Sequence, residues 1–205
     1  MKHELYLDGL WDFHFEEIPP QDYQIEKVKY ETVMTVPGCF DTQPQYRFKR
    51  GVGFFRTKVN CGGKVKLEIG GLGLRARIYW DGRLVGSSEL PYSKIELYFD
   101  AGAETIEHEL VIAVDNRFDT ALSSLFQPFY DFYGYGGVYG HVKISGLPVT
   151  YIEHFQVSSK DIATGTIRLK LELGGEIPRE TVARIGFDDA SPIDHVISGI
   201  RRFYI

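Results

Sequence analysis

The sequence has 205 residues, of which 43% are hydrophobic and 25% are charged, the proportions of a globular protein. This composition excludes collagen, coiled-coil and disordered chains, and the length fits one large domain or one domain with part of a second, at roughly 100–200 residues each. Lysine and arginine number 23 and aspartate and glutamate 28, so the net charge of −5 disfavours nucleic acid or an anionic membrane as the main partner.

The sequence offers no membrane or secretion signal. No stretch approaches the roughly 18 consecutive apolar residues of a membrane helix, and the first residues lack an apolar signal core. Cys39 and Cys61 are too few for a disulfide framework. A single bridge between them is one alternative, and two buried free thiols in a reducing compartment is the favoured one. We therefore expect a cytoplasmic protein, unless a leader has been removed.

Hydrophobic and polar residues alternate along several short segments, which is the pattern of half-buried β-strands. The apolar sets, in chain order, are Trp11, Phe13 and Phe15; Val65, Leu67 and Ile69; Ile95, Leu97 and Phe99; and Val142 and Ile144. A short helix is an alternative to strands only within Gln21 to Val36. Asp81-Gly82 predicts a two-residue hairpin turn. Strands that recur about every ten residues predict an all-β sandwich or barrel.

A domain boundary is predicted near Gly146-Leu147-Pro148, because new strand patterns begin at Tyr151 and Ile167. The chain beyond the boundary is about half of the ~100 residues that an immunoglobulin-like sandwich uses. This second domain is therefore expected to lack partner strands.

Motifs for hydrolytic, metal or phosphate chemistry are absent from the sequence. There is no G-x-S-x-G nucleophile elbow, and none of the six histidines has metal-ligand spacing. The pairs His108-Glu109 and His3-Glu4 are predicted to face solvent. Gly70 to Gly73 is followed by neither Lys-Ser/Thr nor a helix pattern, so it is predicted to be a turn rather than a phosphate-binding loop.

The segment from Phe126 to Tyr139 is the most unusual part of the sequence, with seven aromatic residues in fourteen positions. It is too rich in glycine to be a regular strand throughout, which indicates a functional loop. Aromatic rings stack on the C–H face of sugars, and a carboxylate such as Asp131 accepts hydrogen bonds from sugar hydroxyls. The residues leave two interpretations open: a site for a neutral polyhydroxylated ligand, or an aromatic plug packed under the sandwich or against a missing neighbour.

Six stretches occur in a specific order along residues 5–148. They are L-D-G-L-W-D-F at 7–13, V-P-G-C-F at 36–40, G-V-G-F-F-R at 51–56, A-R-I-Y-W-D-G-R-L-V-G at 76–86, V-D-N-R at 114–117 and D-F-Y-G-Y-G-G-V-Y at 131–139. Together they resemble the amino-terminal region of glycoside hydrolase family 2, the family of β-galactosidases, β-glucuronidases and β-mannosidases. One match would be weak, whereas the ordered set is specific.

The resemblance implies a jelly-roll β-sandwich, similar to galactose-binding domains, over residues 1–148 and the start of an immunoglobulin-like β-sandwich over residues 149–205. It also implies that Asp131 contacts the substrate sugar. Tyr133 and Tyr135, in the same motif, are the other candidate substrate-binding residues. The family usually has Arg after the last aromatic residue of this motif. This chain has Gly140 there, so a buried ionic contact common in the family is expected to be lost or replaced.

The resemblance also shows which part of the family's chemistry is missing. Its retaining enzymes use two Glu residues about 5–5.5 Å apart, one of them in an Asn-Glu dipeptide of the catalytic barrel. The only asparagines here, Asn60 and Asn116, precede Cys61 and Arg117. We therefore predict no catalytic residue, and we expect the isolated chain to be inactive.

The sequence is compatible with three alternative functions. The first is the non-catalytic sugar-binding region of a β-glycosidase that hydrolyses terminal β-linked sugars, with one substrate-contacting loop reaching the active site. The second is a free-standing lectin-like protein, and the third is a structural accessory domain. The predicted partners are a β-linked carbohydrate and a catalytic barrel of the same polypeptide. No nucleic acid, membrane, cofactor or metal is predicted here, and the sequence leaves open the sugar and the oligomeric state, including a homo-oligomer.

Asp131→Asn in a full-length protein that includes the barrel should lower kcat/KM by about one to two orders of magnitude. A charge-assisted hydrogen bond contributes roughly 1.5–3 kcal/mol, and an unpaired donor costs a comparable amount. Kinetics and melting temperature measured on the same variant check this. A large fall in melting temperature with unchanged kcat/KM would instead leave Asp131 as a residue that holds its own loop.

Overall fold

The computed structural model describes residues 4–17, 24–118, 133–186, 191–197 and 202–204. Within these ranges the chain forms β-strands and two single turns of 3-10 helix, so the all-β prediction is confirmed. The chain divides into two compact units, Met1–Gly146 and Leu147–Ile205. No helix in the described ranges has the length and apolar character needed to span a membrane.

The described residues of the first unit form eleven strands. They are β1 Glu4–Tyr6, β2 Gly9–Glu16, β3 Thr32–Val36, β4 Gly38–Cys39, β5 Val52–Cys61, β6 Lys64–Leu72, β7 Arg75–Trp80, β8 Arg83–Ser88, β9 Ile95–Asp100, β10 Ile106–Asp115 and β11 Gly137–Gly146. One antiparallel sheet has the order β3-β2-β5-β10-β7-β8. The other has the order β1-β11-β6-β9, with β4 paired to β11.

The core of the first unit lies between these two sheets. Strand alternation directs one set of side chains inward from each sheet, and these sets meet in a single hydrophobic cluster. Seven residues of the alternating sets are buried: Trp11, Phe13, Val65, Leu67, Ile69, Val142 and Ile144. Ile78, Trp80, Ile112 and Val114 are buried with them. Two facing antiparallel sheets are consistent with the expected jelly-roll sandwich.

Residues 24–31 cover part of the outer face of the six-stranded sheet. They belong to the segment for which a short helix was the alternative to strands. Only Ile25–Lys27 is helical, as one 3-10 turn, and the end of the segment is strand β3. Ile25 packs on Phe54 and Val111, which point away from the main core and are buried by this cover. The apolar residues of the segment therefore cover part of this face without forming a longer helix.

The hairpin prediction is confirmed, since Asp81 and Gly82 join β7 to β8 with φ values of 47° and 74°. The Gly70 to Gly73 prediction is partly wrong. Gly70 and Gly71 lie within β6, and only Gly73 is in the bend that follows. A side chain at Gly70 would come within 3.0 Å of the backbone of β11, so the close approach of two strands accounts for this glycine.

The prediction that His108 faces solvent is wrong, because His108 is buried. It lies on the inward face of β10 with Leu110 and Ile112, and its ring packs against Trp80 at a centroid distance of 5.0 Å. Its Nδ1 is 2.7 Å from Asp81 Oδ2. The hairpin turn thus supplies the polar partner that allows a histidine in the core. His3 lies outside the described residues.

The second unit has two small sheets. Its strands are β12 Thr150–Asp161, β13 Thr166–Gly175, β14 Thr181–Ile185, β15 Ile193–Ile197 and β16 Arg202–Tyr204. The sheets are β12-β13-β16 and β14-β15. Leu171 and Leu173 form its small core, whereas Ile152, Phe155 and Val157 on β12 are exposed. The assignment of this unit to part of an immunoglobulin-like sandwich stays a prediction.

A network of ion pairs covers the outward face of the β1-β11-β6-β9 sheet in the first unit. At its centre Glu68, only 14% exposed, contacts Lys94 at 2.8 Å, Lys143 at 3.0 Å and Lys66 at 3.3 Å. These residues lie on β6, β11 and the segment before β9. Partial burial opposes ionisation, but hydrogen bonds from Lys94 and Lys143 prevail and lower the pKa of Glu68 to about 2.

Glu68→Gln should lower the melting temperature at pH 7 by about 2–4 °C, the effect of roughly 1 kcal/mol in a chain of this size. A carboxyl with a lowered folded-state pKa stabilises the fold above its unfolded pKa of about 4.5, and that stabilisation is lost as the pH falls towards about 2. The difference from wild type should therefore shrink over this range in thermal melts.

Glu107→Gln is the matched control, because Glu107 pairs with Lys58 at an exposed position. Exposed pairs contribute little, so this variant should melt like wild type at every pH. Equal effects of the two substitutions would contradict a special role for Glu68.

Candidate functional site

The structure describes the second half of the aromatic segment, residues 133–139, and brings Tyr133 and Tyr135 together. Their ring centroids are 4.5 Å apart. Asp131 lies outside the described residues, so its predicted sugar contact stays a prediction. Tyr135 is 45% exposed, and β11 begins two residues later at Gly137. The two tyrosines therefore lie at the end of the sandwich where the chain enters β11.

Tyr133 and Tyr135 line a cavity of about 250 Å³. Its other lining residues are Asp41, Thr42, Arg47 and Phe48, all from the segment that connects β4 to β5. The ring of Phe48 lies 6.2 Å from that of Tyr133, and the guanidinium of Arg47 lies over Phe48 at 4.9 Å. Thus aromatic faces, a cation and a carboxyl group surround one opening without an aliphatic side chain among the described residues.

Arg50 fixes the backbone that bears the two tyrosines. Its Nη1 donates to the carbonyl oxygens of Gly134 at 2.8 Å and Asn116 at 3.0 Å, and its Nη2 donates to that of Tyr133. The guanidinium also lies over the rings of Tyr133 and Phe118, at 4.1 and 4.3 Å. A planar group with five donors can make all these contacts at once, which the single ammonium of lysine cannot.

Asp41 holds the same loop from the other side. Its carboxylate Oδ2 accepts hydrogen bonds from the backbone N–H of Gly136 at 2.9 Å and from Asn116 Nδ2 at 2.8 Å. Its Oδ1 is buried and has no hydrogen-bond partner among the described residues. Burial raises the pKa of Asp41, against these hydrogen bonds and the charge of Arg50, which lower it. Asp41 is therefore a buried acceptor at the base of the cavity.

Asn116 completes the attachment and is fully buried. Its Oδ1 accepts from the N–H of Gly51 at 2.9 Å, and its Nδ2 donates to Asp41 and to the carbonyl of Lys49 at 3.1 Å. One side chain thus joins the end of β10 to the loop before β5 and, through Asp41, to the aromatic loop.

Two different structural requirements explain the glycines at positions 134 and 136 of the aromatic segment. Gly134 has φ of 66°, a conformation that favours glycine. A side chain at Gly136 would lie 2.4 Å from the ring of Phe40, so this position tolerates no Cβ. These requirements explain why the segment is rich in both glycine and aromatic residues.

Tyr139 connects this loop to a further aromatic residue. Its hydroxyl donates to the carbonyl of Tyr135 at 3.0 Å, and the ring of Tyr92 meets the ring of Tyr139 at 4.9 Å, edge to face. Cys39 lies beside Tyr139, and burial raises the pKa of the Cys39 thiol. Both Cys39 and Cys61 are free and half-buried rather than fully buried.

Sequence reasoning found the aromatic loop and missed the residues that hold it. Asp41 and Arg50 lie far along the chain from the loop, and neither has a local pattern that predicts its contacts. Asn116 lies in the V-D-N-R stretch, which supported the resemblance but had no assigned role. The bulky residue Phe48 has φ of 65° and is 72% exposed, features that only the structure reveals.

The described ranges contain few other candidate binding sites. They contain no group of three His, Cys, Asp or Glu residues placed to hold a metal ion. A larger cavity, of about 430 Å³, lies within the second unit, where Phe155, Leu171 and Val182 contribute to its walls. Most of its lining residues are apolar, whereas four of the six residues around the smaller cavity are Asp41, Arg47, Tyr133 and Tyr135. The cavity beside Tyr133 and Tyr135 is therefore the candidate site, suited to binding a hydroxylated ligand.

Known structures share this fold. A glycoside hydrolase family 2 β-galacturonidase from Eisenbergiella tayi bound to galacturonate matches with a TM-score of 0.76 and 22% identity, over 100% of this chain and 36% of its own. A β-glucuronidase from Bifidobacterium dentium complexed with coumarin-3-O-glucuronide matches with a TM-score of 0.74 and 17% identity, over 100% of this chain and 42% of its own.

A β-glucuronidase from Ruminococcus gnavus in complex with D-glucaro-d-lactam matches with a TM-score of 0.73 and 17% identity, over 99% of this chain and 39% of its own. No protein-family model and no curated protein matches the sequence. The chain thus has the fold found in part of family 2 glycosidases, as the motifs indicated, and spans about two-fifths of the length of these relatives.

Asn116→Ala should destabilise the first unit by about 2–4 kcal/mol, because it leaves the buried N–H of Gly51 without its partner and removes one of the two hydrogen bonds to Asp41 Oδ2. Chemical denaturation measures the change. Asn60→Ala is the matched control, since Asn60 is exposed on β5 and should change stability by less than about 0.5 kcal/mol. Similar losses in both variants would contradict the role of Asn116.

Proposed function

We propose that this chain is the non-catalytic amino-terminal part of a family 2 β-glycosidase and that it contacts the substrate sugar. The observation that supports this most directly is the cavity beside Tyr133 and Tyr135, held in place by Arg50 and Asp41. The ordered motifs and the shared fold agree with it. The domain assignment belongs to the same proposal: a jelly-roll sugar-binding domain at 1–148 and part of an immunoglobulin-like domain at 149–205.

The site residues in this proposal are Asp131, Tyr133 and Tyr135. The tyrosine rings would stack on the C–H face of a sugar ring, and the Asp131 carboxylate would accept hydrogen bonds from its hydroxyls. Arg50 binds the carbonyls of Tyr133 and Gly134, which holds the backbone that bears the tyrosine rings. The chain would thus supply a preformed loop to an active site whose catalytic carboxyl groups lie elsewhere.

Uronides are the first sugars to consider, because the structural relatives bind galacturonate or a glucuronide. In this chain Arg47 lies at the cavity, over the ring of Phe48, and makes no ion pair with the described residues. A free guanidinium can pair with a sugar carboxylate through two parallel hydrogen bonds. β-Galactosides remain in the proposal as the neutral alternative, and a cytoplasmic location remains a prediction from the sequence.

The isolated chain should show no glycosidase turnover. The reaction requires two carboxyl groups about 5–5.5 Å apart in a pocket that stabilises the oxocarbenium ion, and we assign both to the barrel. Aryl β-galactoside and aryl β-glucuronide assays on purified protein should give buffer-level rates. Sustained hydrolysis that survives repurification would contradict this assignment.

Weak sugar binding should persist in the isolated chain and should depend on Tyr135. Methyl β-galactoside and methyl β-glucuronide can be titrated against it by NMR. Tyr135→Ala should weaken the bound sugar by about 2- to 12-fold, the equivalent of 0.5–1.5 kcal/mol for one aromatic contact. Tyr6→Ala is the matched control, because Tyr6 is an exposed tyrosine on β1 that does not line the cavity. Absence of binding to both glycosides would favour a purely structural role.

A further inference from the structure

His108 presents a buried ring nitrogen that the fold does not use. Its Nδ1 lies 2.7 Å from Asp81 Oδ2, whereas its Nε2 is buried and has no hydrogen-bond partner among the described residues. An ionised carboxylate only accepts hydrogen bonds, so Nδ1 carries the proton of the neutral ring and Nε2 presents a lone pair. A histidine that ligates a metal ion commonly has this arrangement, with its second ring nitrogen donating to a carboxylate.

The sheet order indicates which way this lone pair faces. Strand β10, which bears His108, lies between β5 and β7, and Asp81 follows the end of β7. The two ring nitrogens of an imidazole point away from each other, so Nε2 faces away from the hairpin and towards the β5 side of the core. On that side the residue directly opposite His108 is Val59.

A thiol lies on the β5 side of His108. Cys61 is two residues beyond Val59 on the same strand and packs against the same hydrophobic core, so it faces inward. Diagonal neighbours across an antiparallel pair lie about 7–8 Å apart, within reach of an aromatic side chain such as that of His108. Burial, and to a smaller extent the charge of Asp81, raise the pKa of the Cys61 thiol. Cys61 and His108 therefore line one corner of the core, at the opposite end of β10 from Asn116 and the candidate site.

We propose that Cys61 and His108 bind one soft monovalent metal ion, and that Cu⁺ is the ion whose chemistry fits. Thiolate ligands favour Cu⁺ and Zn²⁺. Structural Zn²⁺ takes four ligands, and the described residues contain no group of three His, Cys, Asp or Glu placed to hold a metal. Cu⁺ accepts one thiolate and one imidazole as a complete ligand set. The ion takes the place of the Cys61 thiol proton, which is released to water, and no electron is transferred.

The surroundings of this pair are apolar. The ring of Trp80 packs on His108, and the ring of Phe99 packs on Trp80, each at a centroid distance of 5.0 Å. Such a shell limits the access of water to a bound ion. A bridging water is nevertheless the alternative occupant, because Trp80 Nε1 is also buried without a partner among the described residues and can donate to it. The two occupants differ in one requirement, since only the metal ion needs the thiol of Cys61.

Anaerobic titration of the intact chain with Cu⁺, buffered by a competing chelator, should show one tightly bound ion per chain. Binding should quench the fluorescence of Trp80, whose ring contacts the ligating histidine. Cys61→Ser should abolish binding, because a hydroxyl is a poor ligand for a soft ion, and it should fold because Cys61 is only half-buried. Asp81→Asn should weaken binding by about 10- to 100-fold, the usual cost of changing the partner of a ligating histidine.

Cys39→Ser is the matched control, because Cys39 is the other free, half-buried thiol and lies beside Tyr139 rather than a histidine. It should bind Cu⁺ like wild type. Equal losses in the two serine variants would mean adventitious binding to thiols and would overturn the proposal. Retained binding in Cys61→Ser, unchanged affinity in Asp81→Asn or no binding by the wild type would also overturn it. None of these results bears on the proposed sugar site, which the glycoside titrations test separately.

Discussion

The fold of the first unit depends on burying one face of each of two antiparallel sheets. Because side chains alternate along a strand, every second residue enters the shared core, and the backbone hydrogen bonds are satisfied within the sheets. Polar groups with a binding role can then occupy the places where strands end. The candidate site follows this rule, since it lies where β10 ends, where β11 begins and where the chain enters β5.

At that end of the sandwich, a buried polar network takes over from apolar packing. Asn116, Asp41 and Arg50 satisfy backbone groups of three separate segments, and no hydrophobic side chain could replace these directional bonds. The result is a loop whose backbone is fixed while Tyr135 and Phe48 stay exposed. The backbone that bears the exposed ring of Tyr135 is thus held by hydrogen bonds to Arg50 and Asp41.

The two units differ in how many of their apolar side chains are buried. The first encloses a core of large side chains from both sheets, whereas the second buries chiefly Leu169, Leu171 and Leu173 and exposes Phe155 and Val157. A small core with exposed strand residues gives little net stability, since it offsets less of the entropy of ordering the chain.

The sequence by itself determined the strands, the Asp81-Gly82 hairpin and the core positions Trp11 and Phe13, because period-2 alternation and turn chemistry are local properties. Ordered motifs also indicated the family whose fold the structure shares. Only the tertiary structure decided that His108 is buried beside Asp81, that residues 25–27 form a single 3-10 turn rather than a longer helix, and that Asp41 and Arg50 hold the aromatic loop. These depend on contacts between residues tens of positions apart, whose geometry no local pattern encodes.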